Sequence, residues 1–432
     1  MKQKSCLREF IQYTALNVLG MLGLSCYILA DTFFVSKGLG TDGLTALNLA
    51  IPVYSFVHGS GLMLGVGGAA KYAVLRGQRD KEEADKTFTS TLYLTLILAF
   101  LFMGVGAFFS EIVTGLLGAD AQVFGMTNIY LKVILLFAPA FMLNDIFVCF
   151  VRNDGNPRLA MLAMLAGSFS NIILDYIFIF PFELGIFGAV LATGFAPVIS
   201  MSVLSLHRKK KEHFCFLRCG MQWKLSGRIV VLGVPALITE VASGIVMIVL
   251  NFIVLSIQGN VGVAAYGVVA NLALVVTAIH TGVAQGMQPL VSRALGVQDT
   301  KTIKLLLKYA MYSMTVLSIL TYVGLFVWAE PIVTVFNSER NMLLQSMAED
   351  GLRMYFSAVW FMGFNVVLSM YFTAIENPGP AQMISILRGI VLVIPIAFLM
   401  AYIWGINGVW LTMVVTEGIV CAVGVRGLKR TY

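Results

Sequence analysis

The sequence predicts an all-α membrane protein, with about twelve transmembrane helices in two pseudo-symmetric six-helix lobes. Three observations predict it. Of 432 residues, 59% are hydrophobic and only 12% charged, with a mean hydropathy of +0.87; a soluble domain carries about 25% charged residues. Apolar runs of the ~20 residues needed to cross a bilayer recur along the whole chain. The second half also repeats the first. Transmembrane β-strands would appear as ~10-residue alternating segments, and the chain has no such pattern.

The spans fall near 10–36, 45–75, 88–110, 124–150, 158–180 and 185–206, then near 228–257, 263–295, 307–328, 345–375, 381–403 and 406–426. The opening "MKQKSCLREF" is basic but lacks a small-residue cleavage site, so it reads as the start of the first span and not as a removed signal. The six cysteines are scattered and suggest reduced thiols, not a disulfide framework.

Charge orients the chain. The N-terminus, the C-terminus and the loops after even-numbered spans hold 23 of the 29 Lys and Arg residues. The opposite loops hold only Lys37 and Arg340. Basic loops stay on the cytoplasmic side, so both termini are expected there, in a multi-pass protein of the plasma (inner) membrane. The net charge of +7 resides mostly in these short loops and is no signal for nucleic acid.

The longest basic segment, "HRKKKEHFCFLRCGMQWKLSGR" (207–228), divides the chain nearly in half. The expected division is an N-lobe over 1–206, a cytoplasmic linker over 207–227 and a C-lobe over 228–432. An ungapped repeat at an offset of 219 residues supports it. "TFFVSKGLGTDGLTALNLA" (32–50) lies over "NFIVLSIQGNVGVAAYGVV" (251–269), pairing Gly40 with Gly259 and Asp80, further on, with Asp299. "NPRLA" (156–160) resembles "NPGPA" (377–381), and "GIFGAV" (185–190) resembles "GINGVW" (405–410). Six spans separate the repeats, so their pseudo-two-fold axis runs along the membrane normal, a geometry suited to one bundle rocking against the other.

Ionisable groups inside spans cost on the order of 3 kcal/mol each and should face a cavity or a partner. The candidates are Asp31, Asp145, Asp175, Glu240 and Glu417. Asn171 and Asp175 share a helical face on the fifth span, as Tyr27 and Asp31 do on the first. Thr193 on the sixth span and Tyr130 on the fourth could join them in one site. Two carboxylates close together in a low dielectric do not both stay ionised, so they would hold a proton between them. The same oxygens could instead coordinate Na⁺. The competing reading makes each Asp a solvated or capping group. Glu240 lies five residues after Pro235, which frees a backbone carbonyl and can bend its helix; a static hydrogen bond to a facing helix is the alternative. Asp145 and Glu417 read as structural, and Lys71 as snorkelling toward the cytoplasm. His58 and His280 read as satisfied core histidines. "HFCFLRC" (213–219) fits no standard zinc spacing. The chain carries no P-loop, nucleophile elbow or zincin motif, which argues against a primary ATP-driven pump.

These motifs together resemble the multidrug and toxic compound extrusion (MATE) family over nearly the whole chain. The pieces are "YILADTFFVSKGLG", "GVGGAAKYAVLRGQRD", "FVRNDGNPRLA", "SNIILDYIFI", "GIFGAVLAT" and "QGMQPLVSRALG". The resemblance implies a cation-coupled antiporter with no cofactor beyond H⁺ or Na⁺, expelling small organic compounds, as a monomer in the bilayer. It also implies a cation site at Asp31, Asn171, Asp175 and Thr193, with Tyr130 nearby. Two positions depart from the family. Leu16 stands where many members have Pro in helix 1, and "FMGFNVV" (361–367) lacks the acid that some branches place in helix 10 opposite the helix 7 Glu. A C-lobe Na⁺ site around Glu240 would therefore be incomplete. The alternatives are a lipid-linked oligosaccharide flippase of the same wider superfamily, expected to have a more basic cleft, and a polytopic membrane enzyme, for which no reactive constellation stands out.

Overall fold

A computed structural model describes residues 3–210, 213–337 and 340–431, which are helical and contain no strand. The first half forms α1 (Gln3–Gly77), α2 (Lys81–Leu116), α3 (Phe124–Leu136), α4 (Ala138–Asn153), α5 (Pro157–Ile179) and α6 (Gly185–Leu204). The second forms α7 (Trp223–Gly296), α8 (Thr300–Val327), α9 (Ala329–Phe336), α10 (Met342–Tyr355), α11 (Val359–Ala374), α12 (Pro378–Ile386) and α13 (Val393–Thr431). A π-helical turn, Leu387–Val391, joins α12 to α13.

By length and apolarity these make up to nine membrane-crossing segments, counting the bent α3–α4 pair as one. Three of the nine fold back on themselves, which gives twelve spans. In α1 the break is Gly40, at φ 67° and ψ −155°, a region open essentially to glycine alone. On either side of it, Asn17 and Tyr72 reach neighbouring residues at the end of α4: Arg152 donates to Asn17 at 2.9 Å, and Tyr72 donates to Asp154 at 2.7 Å. Gly38 packs against Ile179 at the far end of α5. In α7 the break is Gly259, at φ 63° and ψ −155°; Arg228 and Ser292, on either side, both reach the 374–376 corner. In α13 it is Gly405, and a Cβ on Gly427 would stand 3.5 Å from Pro380.

The repeat is therefore geometric as well as sequential. Gly40 and Gly259 share one conformation at the 219-residue offset, and Arg79 (φ 63°) and Gln298 (φ 57°) share a left-handed one. The next residues, Asp80 and Asp299, cap α2 and α8 by accepting from Glu83 N–H at 3.1 Å and Thr302 N–H at 3.0 Å.

Three local features differ from the sequence expectation. The fourth span is not one rod but bends by 49° at Phe137, because Pro139 has no N–H to continue the ladder of α3. Residues 329–336 form a short helix, α9, where a loop was expected. The basic linker is pinned to the first lobe: Cys215 N–H donates to Asp85 at 3.0 Å, Leu217 N–H donates to Thr89 at 3.0 Å, and the Phe214 ring packs on Phe88, 4.5 Å between centroids.

The lobes close at the end that carries both termini. There one buried cluster joins Phe10 and Tyr13 of α1 to Met287, Leu306 and Tyr371 of the second lobe. A methyl group at Gly233 would land on the Met63 carbonyl, and one at Gly67 on the Ile229 carbonyl. At the opposite end each lobe has its own core, and the second lobe's cluster around Tyr266, Phe356 and Trp410 contains no buried residue of the first. The cleft between the lobes therefore opens toward the Gly40–Gly259 end.

Candidate functional site

Five of the predicted polar residues converge inside the first lobe. Asp31 comes from α1, Tyr130 from α3, Asn171 and Asp175 from α5, and Thr193 from α6, and all are buried. The Asp31 and Asp175 side chains adjoin, and the Tyr130 hydroxyl lies near that of Thr193, which donates to the Ala189 carbonyl at 3.2 Å. With its amide oriented to pair donors with acceptors, Asn171 donates through Nδ2 to Asp175 Oδ2 at 3.1 Å. Its Oδ1 accepts from Thr193 N–H at 3.3 Å. Asp31 Oδ1 and Asp175 Oδ1 have no protein donor. Two acid groups thus adjoin in a buried pocket, each with an oxygen that no protein donor reaches. Such oxygens are costly unless something positive reaches them.

This arrangement refines one expectation. Asn171 was expected in the site beside Asp175. With the amide in this rotation it presents an N–H to that carboxylate and its oxygen to a backbone N–H; in the opposite rotation it presents the oxygen to Asp175. The helix spacing put Asn171 and Asp175 on one face but did not set the rotation of the amide.

A second polar group lies on the cleft floor, and sequence reasoning missed it. Tyr27 Oη and Tyr54 Oη are 3.2 Å apart. Tyr54 stacks on His58 with ring centroids 5.8 Å apart, and His58 Nδ1 lies 2.9 Å from Asp145 Oδ2. Glu240 approaches from the other lobe, its Cβ 3.1 Å from where a Cβ on Gly59 would stand. Asp145 is therefore paired within the protein, and His58 is its partner. The signal available in the sequence was the Tyr54–His58 spacing of four on the second span.

Elsewhere the polar residues are tied structurally. Glu417 accepts from Asn365 at 2.6 Å and from Arg388 at 2.8 Å. Lys71 does not snorkel freely but pairs with Glu376 of the other lobe at 2.9 Å. Backbone torsions stay helical at Pro235, and within α7 only Gly259 leaves that region. The carbonyl Pro235 leaves without its helical partner, that of Val231, accepts from Gln382 Nε2 at 3.0 Å. The quoted motifs "FVRNDGNP" and "QGMQPL" meet at the lobe seam. Arg152 donates to Gln285 at 2.6 Å, and Asn153 donates to Gln288 at 3.0 Å.

Twelve spans in two lobes, with a buried acid pair in one of them, fit a polytopic membrane transporter. The MatE family profile matches residues 18–177 and 235–399, and the chain belongs to the MatE (multidrug and toxic compound extrusion) family. It is 26% identical to "Multidrug export protein MepA" of Staphylococcus saprophyticus, over 98% of this chain and 93% of that one. It is likewise 26% identical to the protein of that name from Staphylococcus aureus strain MRSA252, over 96% and 91%. Among solved structures it resembles one described as the outward-facing conformation of a multidrug resistance MATE family transporter, with a TM-score of 0.91 and 24% identity over 100% of this chain and 98% of that one. A MOP superfamily transporter from Pyrococcus furiosus matches with a TM-score of 0.90 and 24% identity over the same shares.

Proposed function

We propose that this protein is a secondary active antiporter that exports small organic, often cationic, compounds across the plasma membrane in exchange for H⁺, acting as a monomer. The names of its MepA relatives support multidrug export as the direction and substrate class. The observation that carries the coupling is the adjoining Asp31–Asp175 pair with donor-less Oδ1 atoms. A single proton satisfies such a pair, and removing it leaves two like charges in a buried pocket. H⁺ is favoured over Na⁺ because two adjoining carboxyls can share a single proton.

The basic-residue bias places both termini, and so the closed end of the molecule, in the cytoplasm. The cleft of this state then opens outward. The N-lobe (1–206) and C-lobe (228–432) rock about the seam, with the 207–227 linker on the cytoplasmic side. A proton from outside neutralises the acid pair and shifts the balance between the two states. It can do so only if they bind it with different affinity. Glu240, with His58 and Asp145, lines the cleft floor and supplies negative charge to a cationic substrate.

The test is efflux by purified protein in vesicles under separately imposed pH and Na⁺ gradients. A pH gradient alone should drive wild-type efflux, and Asp175→Asn should abolish it with the protein still inserted and folded. Efflux that follows a Na⁺ gradient at constant pH would overturn the choice of ion. Wild-type rates in Asp175→Asn would overturn the coupling role itself.

A further inference from the structure

The end of the molecule that carries both termini contains a cavity of about 610 Å³, well away from the acid pair, lined by Arg76, Arg79 and Lys81 beyond the second span, Lys210 of the linker, and Arg293 of the other lobe. Asp154 is the one acid among its described lining residues. That carboxylate is already engaged: it accepts from Tyr72 at 2.7 Å and contacts His207 at 2.8 Å, with Arg76 and Lys210 each at 3.7 Å. The described lining thus carries five cations and one acid, and that acid is already committed. Lys210 also donates to the Asp154 carbonyl.

Two of the cations come from opposite sides of the lobe seam and crowd the same spot. A Cβ on Gly155, which sits at φ 85°, would stand 3.6 Å from Lys210 Nζ and 3.9 Å from an Arg293 terminal nitrogen. Like charges gathered around one point repel, less so as water and salt screen them. A bound anion removes the repulsion and joins the two lobes through it. Arginine forks match phosphate oxygens in pairs, and basic pockets between membrane helices take anionic headgroups. A smaller cavity of about 250 Å³ shares Arg293 and mixes apolar side chains (Leu290, Ala294, Val297, Leu306) with the acids Glu9 and Asp299. The larger chamber, with its excess of cations, suits a phosphate group.

We propose that this cavity is a binding site for a phosphate-bearing anion, which bridges Arg293 to the Arg79–Lys81 corner and holds the lobes closed at this end.

The experiment is thermal unfolding of the full chain in phosphatidylcholine nanodiscs, with and without phosphatidylglycerol, and separately with millimolar glycerol phosphate or inorganic phosphate. The test variant is Arg79→Gln with Lys81→Gln. Gln is what the other lobe carries at the equivalent left-handed position, Gln298, so the backbone there is not disturbed. Lys429→Gln with Arg430→Gln removes equal charge elsewhere at the same end. Phosphatidylglycerol should raise the wild-type Tm by about 2 °C or more. The control pair should keep that rise, the test pair should lose most of it, and native mass spectrometry should show the matching loss of retained lipid. A rise produced by the soluble phosphates alone, with the same dependence on variants, would keep the site and make its ligand soluble. No rise with either source, or an equal rise in all three proteins, would overturn the proposal.

Discussion

Lys71 Nζ lies 2.9 Å from Glu376 Oε1, joining α1 of the first lobe to the corner between α11 and α12 of the second. Arg228 reaches the same carboxylate at 3.3 Å. One carboxylate therefore holds two cations at the closed end, and the two possible truncations are unequal. Glu376→Gln strands both cations and should cost about 3 kcal/mol, whereas Lys71→Met leaves the Glu376–Arg228 pair and should cost about 1. Chemical unfolding of the two variants in one detergent checks the order; a larger loss for Lys71→Met would mean that Arg228 does not share the load.

Close backbone packing makes the closure sensitive to a single methyl group. Gly233→Ala puts a carbon on the Met63 carbonyl oxygen, so the seam must open there. We expect efflux to fall at least tenfold, with the variant still inserting normally. Spin labels across the termini end should report a longer inter-lobe distance than in wild type. An unchanged distance would show that the seam can absorb the methyl group.

The two acid groups of the cleft should be ranked by their partners. Asp31→Asn removes half of the coupled pair and should abolish gradient-driven efflux. Glu240→Gln removes a partly exposed charge on the cleft floor and should weaken it less, by about tenfold at most. Vesicle efflux at matched protein levels decides, and the reverse order would move coupling into the second lobe.

Asp154 lies beyond the end of α4. Burial pushes its carboxyl up, but the hydrogen bonds of His207 and Tyr72, with Lys210 nearby, outweigh it and hold the group below the ordinary 3.8. A depressed carboxyl stabilises the fold above its unfolded value and loses that contribution as pH falls through the folded one. Asp154→Asn should therefore melt below wild type at pH 7, by about 2 kcal/mol, and the two curves should converge toward pH 3. Parallel acid limbs would remove Asp154 from the pH dependence.

Much of the fold was legible because hydropathy is a local property. Spans, the Gly40–Gly259 correspondence and the Asp80–Asp299 caps depend on residues near each other in the chain. The acid pair was legible as composition, since Asp31 and Asp175 are too costly in a span to be idle, and family resemblance named their companions. His58 was read as a satisfied core histidine, but its partner could not be named because Asp145 lies on another span. Lys71 was read as snorkelling because Glu376 is 305 positions away. The bend at Phe137 was missed, although Pro139 was in view, because apolarity runs unbroken across it.

By itself the sequence determined that the chain crosses a bilayer about twelve times, in two repeated halves, with its basic residues at one end and a few acids at depth. Bilayer physics demands that those acids find partners, but it does not choose them. Tertiary structure made the choice. The reversals at Gly40, Gly259 and Gly405 and the rotation of each helix set Asp175 against Asp31, turned the Asn171 amide toward Asp175, and paired Arg152 with Gln285 across the seam. Those pairings arise from helix packing between distant segments, a property that no stretch of the chain carries alone.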